Sequence, residues 1–235
     1  MRTTVEVQDL RRVFGPTVAV DGATWHAGAG RITAVLGPNG AGKSTTIECL
    51  EGLQRPDGGS ARVLGVDPWG ASAEHRARVG VMFQDGGLPN TARPVPLLHH
   101  LASLYAAPRP VDELLSRLGI GDFARTPLRR MSGGQKQRVG LAAALVGNPE
   151  VVFLDEPTAG LDPHARLDVW ALIREVADAG ATVVVTTHSF DEADRLADDV
   201  VVMGRGRVLA SGALPEVRGA RTLEERYFAL TGDQR

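Results

Sequence analysis

Residues 37–45 read Gly-Pro-Asn-Gly-Ala-Gly-Lys-Ser-Thr, a spacing with which a protein backbone can hold phosphate groups. The glycines let the chain fold into a concave nest of N–H groups directed at phosphate oxygens, and the helix that follows adds partial positive charge. Lys43 can supply a point charge to the β- and γ-phosphates, and Ser44 can offer its hydroxyl to Mg²⁺. Lys43 and Lys136 are the only lysines among 26 basic residues, so lysine at position 43 is itself informative. This stretch predicts that the chain binds a nucleoside triphosphate.

The residues on either side of this loop favour the same interpretation. Residues 31–36 form a short apolar run of strand type, and residues 44–53 carry Ile47, Leu50 and Leu53 at helical spacing. A glycine-rich turn without a ligand is the alternative. A strand before the loop and a helix after it argue against that alternative, because this is the context in which phosphate loops occur.

Two carboxylates follow a second apolar run. Residues 151–154 are typical of a buried parallel strand, and Asp155 and Glu156 come directly after it, at the carboxyl edge of the sheet beside the phosphate loop. Asp155 is suited to hold Mg²⁺. Glu156 is suited to polarise a water molecule for attack on the γ-phosphate. We therefore predict that both acids act in the chemistry of the bound nucleotide.

Gln84 and His188 each end a further predicted strand, at residues 79–83 and 182–187. Side chains at the carboxyl ends of parallel strands contact ligands in α/β folds. By itself Gln84 is better explained as a solvated loop residue, and a lone histidine is more often structural than catalytic. In a phosphate-loop protein, His188 is a candidate contact for the γ-phosphate.

The first turn of one helix is unusual. Ser132 and Gln135 fit a capping box, in which each side chain bonds the other's backbone N–H. Gly133 and Gly134 follow the serine, although glycine weakens a helix. Plain capping explains the serine, whereas the glycines suggest that a ligand closely approaches the exposed N–H groups. Similar patterns predict two other helix starts: Ser189 with Glu192, and Asp162 before Pro163.

The remaining pattern predicts two further regions around the α/β core. Residues 3–7, 18–20 and 24–26 have strand character, with a hairpin turn predicted at Asp21–Gly22, so an antiparallel β region comes first. Residues 95–146 have leucines at helical spacing and few β-branched residues, which predicts an inserted helical subdomain.

Length and composition limit the alternatives. A chain of 235 residues suits one α/β domain, and a net charge of −2 gives no general attraction for nucleic acid. The single cysteine, Cys49, excludes an internal disulfide, fits a reducing compartment and is expected to be a buried apolar residue. No signal peptide and no apolar run long enough to cross a bilayer is present, so we expect a cytoplasmic protein whose membrane role requires a partner.

Taken together, these motifs resemble the ATP-binding subunit of ABC transporters, in the order of that family and over nearly the whole chain. The resemblance identifies residues 37–45 as Walker A, 151–156 as Walker B with the catalytic glutamate, 159–162 as the D-loop and 131–135 as the signature, with Met131 where leucine is usual. It implies a P-loop NTPase (RecA-like) core with an N-terminal antiparallel β region and an inserted helical subdomain at roughly 88–147. Residues 1–235 would form a single nucleotide-binding domain.

The resemblance also implies site residues and ligands. Glu156, His188 and Gln84 would be catalytic, Asp162 would act in the D-loop, and Ser44, Gln84 and Asp155 would hold Mg²⁺. Phe14 lies where the family usually has a tyrosine that stacks on adenine. The implied ATP contacts are Phe14, Gly37, Pro38, Asn39, Gly40, Ala41, Gly42, Lys43, Ser44 and Thr45 of one chain, with Ser132, Gly133, Gly134 and Gln135 of a second chain.

The implied partners are a second ATPase subunit, as a homodimer, and a separate transmembrane permease at the cytoplasmic face of the cell membrane. Residues 51–59 and 223–228 are most similar to ABC-2-type exporters of the daunorubicin-resistance group. The apolar residues after Gln84 are expected to line a groove for a helix of the permease, the alternative being that they are core of the subdomain: Leu88, Pro94, Val95, Pro96 and Leu97.

Three other functions belong to related or different classes. An importer ATPase is the nearest rival within the family. A soluble ABC ATPase of translation or DNA repair is disfavoured by the single ATPase unit and by the absence of a coiled-coil insertion. A nucleotide-binding regulatory module without turnover is disfavoured because Glu156 and His188 are both present.

Overall fold

A computed structural model describes residues 2–83 and 87–232. The strands are β1 Thr3–Phe14, β2 Thr17–Gly28, β3 Ile32–Leu36, β4 Gly58–Val63, β5 Val79–Met82, β6 Val151–Asp155, β7 Thr182–Thr187, β8 Asp199–Gly204 and β9 Arg207–Ala213. The helices are α1 Lys43–Leu50, α2 Ala73–Arg76, α3 Pro94–Ala102, α4 Val111–Arg117, α5 Gly133–Leu145, α6 Pro163–Asp178, α7 Phe190–Leu196, α8 Leu214–Arg218 and α9 Leu223–Gly232. Within these ranges, no helix has both the length and the apolar character that a membrane crossing requires.

The six-stranded sheet determines which loops meet. Its order is β5-β6-β7-β3-β8-β9, and every neighbouring pair is parallel except β8 and β9. Asp155 at the end of β6 pairs with Thr186 of β7, and Leu36 at the end of β3 pairs with Thr187 of β7. The loops after β3, β6 and β7 therefore leave the same edge of the sheet side by side.

Strand β6 illustrates why the central strands are apolar throughout. Val151 and Phe153 belong to one hydrophobic core, and Val152 and Leu154 belong to another on the opposite face. Successive side chains of a strand point to opposite faces, so a strand covered on both sides needs apolar residues at every position. The sequence-based prediction of an α/β fold with buried parallel strands is confirmed.

The covering layers differ on the two faces. A three-stranded antiparallel sheet, in the order β2-β1-β4, shares its core with α1 on one face. Residues from α3, α4, α5 and α6 form the core on the other face. The predicted antiparallel region and the helices between β5 and β6 are both present, with α5 packed beside β5 and β6.

The hairpin turn predicted at Asp21–Gly22 is wrong. Strands β1 and β2 pair from Phe14 opposite Thr17, so the turn lies at Gly15–Pro16, and Asp21–Gly22 continue β2 at a shift in register. Tertiary contacts hold this bulge: the Asp21 N–H donates to the Gly206 carbonyl at 2.8 Å. A short-range turn signal was overridden by pairing with a distant part of the chain.

Candidate functional site

The phosphate loop joins β3 to α1 under tight packing. Gly42 precedes α1 with φ of 95°, and a Cβ atom there would lie 2.5 Å from the Ala19 carbonyl oxygen. A Cβ atom on Gly37 would lie 2.6 Å from the Met203 carbonyl oxygen. Both glycines are therefore required by contacts with neighbouring strands and turns, in addition to the shape of the loop itself.

Lys43 is buried at the start of α1. Its Nζ donates to the carbonyl oxygens of Gly37 at 2.7 Å and Pro38 at 3.1 Å. Burial lowers the pKa of Lys43, and the nearby charges of Glu156 and Asp155 oppose that shift. The ammonium is thus held against the backbone of its own loop, beside the two acids.

A cavity of about 150 Å³ brings the two main motifs together. It is lined by residues 39–45 of the loop and by Asp155 and Glu156. The residues that line it include neither Phe14 nor any of 132–135. The fold therefore places the loop and both acids around one space and leaves the signature residues outside it.

Asp155 is partly buried at the end of β6. The Thr186 hydroxyl donates to its Oδ1. Burial raises the pKa of Asp155, with a contribution from the charge of Glu156, while the Thr186 hydrogen bond and Lys43 act in the opposite direction. Thr186 is not among the residues predicted from the sequence. The available signal was a polar residue at the carboxyl end of a buried strand next to β6.

Glu156 has a backbone conformation that is rare for a residue with a side chain. Its φ is 47°, which persists only where surrounding contacts enforce it. Its N–H donates to the Thr186 carbonyl at 3.1 Å, and Gln137 Nε2 donates to its carbonyl at 3.2 Å. The Glu156 Oε1 lies 2.9 Å from His188 Nδ1, so the predicted acid and histidine are in hydrogen-bonding contact. The carboxylate side chain is 16 % exposed and the imidazole 70 % exposed.

The start of α5 has the predicted capping box. The Ser132 N–H donates to Gln135 Oε1 at 3.0 Å, and the Gln135 N–H donates to Ser132 Oγ at 3.2 Å. A Cβ atom on Gly133 would meet nothing within 4 Å. One on Gly134 would lie 2.9 Å from the Gly160 carbonyl oxygen. An internal contact thus accounts for glycine at 134, whereas Gly133 faces open space.

The other two predicted helix starts have different outcomes. Asp162 caps α6 by accepting from the Ala165 N–H at 3.0 Å, and this backbone hydrogen bond is the main cause of the lowered pKa of Asp162. Ser189 caps α7, but its N–H donates to Thr187 Oγ1 rather than to Glu192. The second capping box is therefore incomplete. Glu192 is instead buried, and its carboxylate accepts hydrogen bonds from Thr158 and Trp170.

Gln84 lies outside the described residues. Phe14, the predicted adenine contact, does not line the cavity. Phe14 is 42 % exposed, and the Arg12 guanidinium lies 4.6 Å from the centre of its ring. An exposed aromatic ring with a cation beside it can stack on a planar ligand.

The predicted apolar groove is wrong for two of its members. Pro94 and Leu97 are buried, and Leu88 packs partly buried against the same core as Leu97. Val95 is partly buried and Pro96 is exposed. Core packing in α3 explains the two buried residues, so they belong to the helical layer itself.

Comparison with known proteins gives the family. Residues 20–159 match the ABC transporter family. The daunorubicin/doxorubicin resistance ATP-binding protein of Streptomyces peucetius is 42 % identical over 92 % of this chain and 67 % of its own length. The methionine import ATP-binding protein of Brucella abortus is 37 % identical over 91 % of this chain and 60 % of its own length.

A solved structure supports the same conclusion from the fold. An ATP-binding subunit of an ABC transporter superposes with a TM-score of 0.89 at 28 % identity, covering 97 % of this chain and all of the other. The chain belongs to the ABC transporter family. Within it, the chain is an ATP-binding subunit, and such subunits are ATPases.

Proposed function

We propose that this ATPase powers an ABC-2-type exporter of drugs or other small lipophilic molecules, through ATP-driven closure of a dimer. The contact of 2.9 Å between Glu156 and His188, beside the cavity of the phosphate loop, is the observation that carries the proposal of turnover. The direction of transport is supported by the identity of 42 % with a drug-resistance protein, against 37 % with an import protein.

ATP binding at this loop exchanges one set of contacts of Lys43 for another. Its ammonium bonds two neutral carbonyl oxygens, and the β- and γ-phosphates offer charged acceptors in their place. The N–H groups of residues 39–45 and the start of α1 add positive potential. Phe14 supplies a stacking surface for adenine. Together these contacts hold the triphosphate along the loop, with its γ-phosphate toward Glu156.

The same cavity fits Mg²⁺ bound together with the triphosphate. Ser44 and Asp155 both line the cavity, and hydroxyl and carboxylate oxygens are ligands that Mg²⁺ prefers. Among the described residues no group of three or more His, Cys, Asp or Glu side chains could hold a metal alone. Mg²⁺ commonly takes its remaining ligands from phosphate and water, so Ser44 and Asp155, with Gln84 as a third ligand, suffice. Bound there, it would neutralise charge on the phosphates.

Glu156 and His188 divide the remaining chemistry. The Glu156 carboxylate accepts a hydrogen bond from the attacking water and polarises it toward the γ-phosphate. The His188 imidazole orients that carboxylate through Nδ1 and presents its other nitrogen to the γ-phosphate. Gln84, which lies outside the described residues, is proposed from the sequence alone as a further polar group of this site.

The signature residues are proposed to serve the site of a second chain. Ser132, Gly133, Gly134 and Gln135 do not line the cavity of their own chain, and Gly133 has open space around it. Closure over the γ-phosphate of the partner would give the exposed N–H groups of α5 an anionic acceptor. Asp162 in the D-loop is proposed to lie at the same interface between the two chains. ATP then favours the closed dimer, and hydrolysis releases it.

A separate permease is proposed to receive this motion at the cytoplasmic face of the membrane. We assign the whole of residues 1–235 to one nucleotide-binding domain, with residues 88–147 as the helical subdomain that moves with Gln84.

Two substitutions test binding and chemistry separately. Lys43→Ala removes the charge of the loop, so both ATP affinity and turnover are expected to fall. Glu156→Gln keeps the size of the side chain but loses the carboxylate, so turnover is expected to fall about 100-fold or more with ATP binding retained. Phosphate release and nucleotide affinity are measured with Mg-ATP, and the Glu156→Gln protein is also run on size-exclusion chromatography, where we expect a persistent dimer. Turnover at the parent rate in Glu156→Gln would show that another group activates the water.

The protein encoded by the neighbouring reading frame distinguishes an exporter from an importer. A six-span membrane protein encoded there supports export, and a solute-binding protein supports import. Co-expression of the chain with the six-span protein, followed by measurement of substrate efflux from cells, is the functional test. Efflux that is unaffected by Lys43→Ala would contradict the proposal.

A further inference from the structure

Glu192 is a buried carboxylate close to the proposed catalytic pair. It lies on α7, is only 2 % exposed, and accepts two hydrogen bonds at Oε1. The donors are Thr158 Oγ1 at 2.8 Å and Trp170 Nε1 at 3.0 Å. A carboxylate is costly to bury unless hydrogen bonds compensate for lost water, so its retention at this position calls for a reason.

Glu192 joins the two segments that carry Glu156 and His188. Thr158 follows Glu156 by two residues, in the loop between β6 and α6, and Glu192 follows His188 by four residues, at the start of α7. The hydrogen bond between Thr158 and Glu192 therefore links these segments beside the contact of 2.9 Å between Glu156 and His188. The hydrogen bond from Trp170 also connects Glu192 to α6.

The backbone of Glu156 is strained, so its conformation depends on contacts that hold the neighbouring chain in place. A φ of 47° needs enforcing contacts, and the residue has them at its own N–H and carbonyl. The bond from Thr158 to Glu192 holds the chain two residues further on. A cavity of about 390 Å³ borders Glu156, Thr158, His188 and Glu192. Because open space borders these residues on that side, the hydrogen bonds to Glu192 supply contacts there that packing does not.

We propose that Glu192 is a positioning residue for ATP hydrolysis, which sets the geometry of Glu156 and His188 through Thr158 and Trp170. The inference rests on the roles proposed above for Glu156 and His188. A displacement of about 1 Å in a reacting group can lower a rate about 100-fold. The Lys43 loop belongs to β3 and α1, so loss of Glu192 leaves ATP binding largely intact and acts on the chemical step.

The test compares variants that remove the carboxylate, its charge or one donor. Glu192→Ala is expected to lower kcat about 10- to 100-fold and to change the KM for Mg-ATP less than about 3-fold. Glu192→Gln is expected to keep near-parent kcat, because its amide oxygen can accept both bonds. Thr158→Val and Trp170→Phe each remove one hydrogen-bond donor. Their kcat values are expected to lie between those of the parent protein and of Glu192→Ala. Asp191→Ala is the matched control, since Asp191 is exposed on the same helix and pairs with Arg195 at 2.9 Å.

A second comparison distinguishes positioning from general loss of structure. Positioning of the contacting pair Glu156 and His188 predicts that Glu192→Ala lowers kcat by a smaller factor in the Glu156→Gln background than in the parent protein, whereas independent effects would multiply. Thermal unfolding of each variant identifies those that fail to fold. If Glu192→Ala fails to fold, Thr158→Val and Trp170→Phe decide, because both keep the carboxylate.

Four results would overturn the inference: parent kcat in folded Glu192→Ala, parent kcat in both donor variants, multiplied effects in the Glu156→Gln background, or a Glu192→Gln protein as slow as Glu192→Ala. The last result would mean that the charge, not the hydrogen bonds, is needed. If Glu156→Gln hydrolyses ATP at the parent rate, the proposed function of Glu156 itself is refuted. If Glu156→Gln is slow but Glu192→Ala hydrolyses ATP at the parent rate, only the role of Glu192 is refuted.

Discussion

Replacing Glu51 by glutamine is expected to stabilise the protein above neutral pH. Glu51 follows the last residue of α1 and is partly buried. Burial raises its pKa from 4.5 to about 8, and the charges of Asp155 and Glu48 contribute in the same direction. The carboxyl group therefore keeps its proton in the native state over a pH range in which the unfolded chain has lost it.

The sign and size of the effect follow from proton linkage. Well below pH 4.5 both states hold the proton, so Glu51 makes no pH-dependent contribution to the free energy of unfolding. As the pH rises toward 8, the unfolded state releases the proton and is favoured, so the free energy of unfolding falls. A separation between 4.5 and about 8 corresponds to at most about 5 kcal/mol, since a tenfold change in proton affinity is about 1.4 kcal/mol. Because water reaches part of the side chain, we expect about 2 kcal/mol or more.

Urea unfolding without nucleotide, at pH 5 and pH 8, measures the effect. Glu51→Gln removes the titrating group, so its advantage over the parent protein should be small at pH 5 and about 2 kcal/mol larger at pH 8. Glu74→Gln, which changes an exposed carboxyl group on α2, is the control and should show no such difference. Equal advantages of Glu51→Gln at the two pH values would refute the reasoning, because a packing effect does not depend on protonation.

Three further predictions concern the dimer, the start of α5 and acid stability. Mixing Ser132→Arg with Lys43→Ala protein should restore ATPase activity through heterodimers with one intact composite site, and full activity from a demonstrated monomer would contradict shared sites. Gly134→Ala should destabilise the protein by about 1–3 kcal/mol in urea unfolding, because its Cβ would meet the Gly160 carbonyl oxygen at 2.9 Å, whereas Gly133→Ala should not. Burial, with Arg78 nearby, lowers the pKa of His75, so stability should fall as the pH drops below 6.5; His75→Leu should remove that fall, and an unchanged acid dependence of unfolding would count against it.

The sequence alone determined the features that depend on local pattern. The phosphate loop follows from glycine, lysine and serine at fixed spacing between an apolar run and a helical one. The position of Asp155 and Glu156 follows from a run of four apolar residues that is typical of a buried strand in a parallel sheet, and the structure has this strand. The cap at Asp162 and the box from Ser132 to Gln135 are likewise set within a few residues, and the structure has both.

Only the tertiary structure decided the features that depend on distant residues. Asp21–Gly22 has the composition of a turn, but it lies within a strand because Gly206, far along the chain, pairs with it. Glu192 has the spacing of a capping residue, but Thr158 and Trp170 provide donors inside the core. Local pattern fixes what a segment can form, and long-range hydrogen bonds and burial then choose among those options, because an unpaired buried polar group costs more than a local preference.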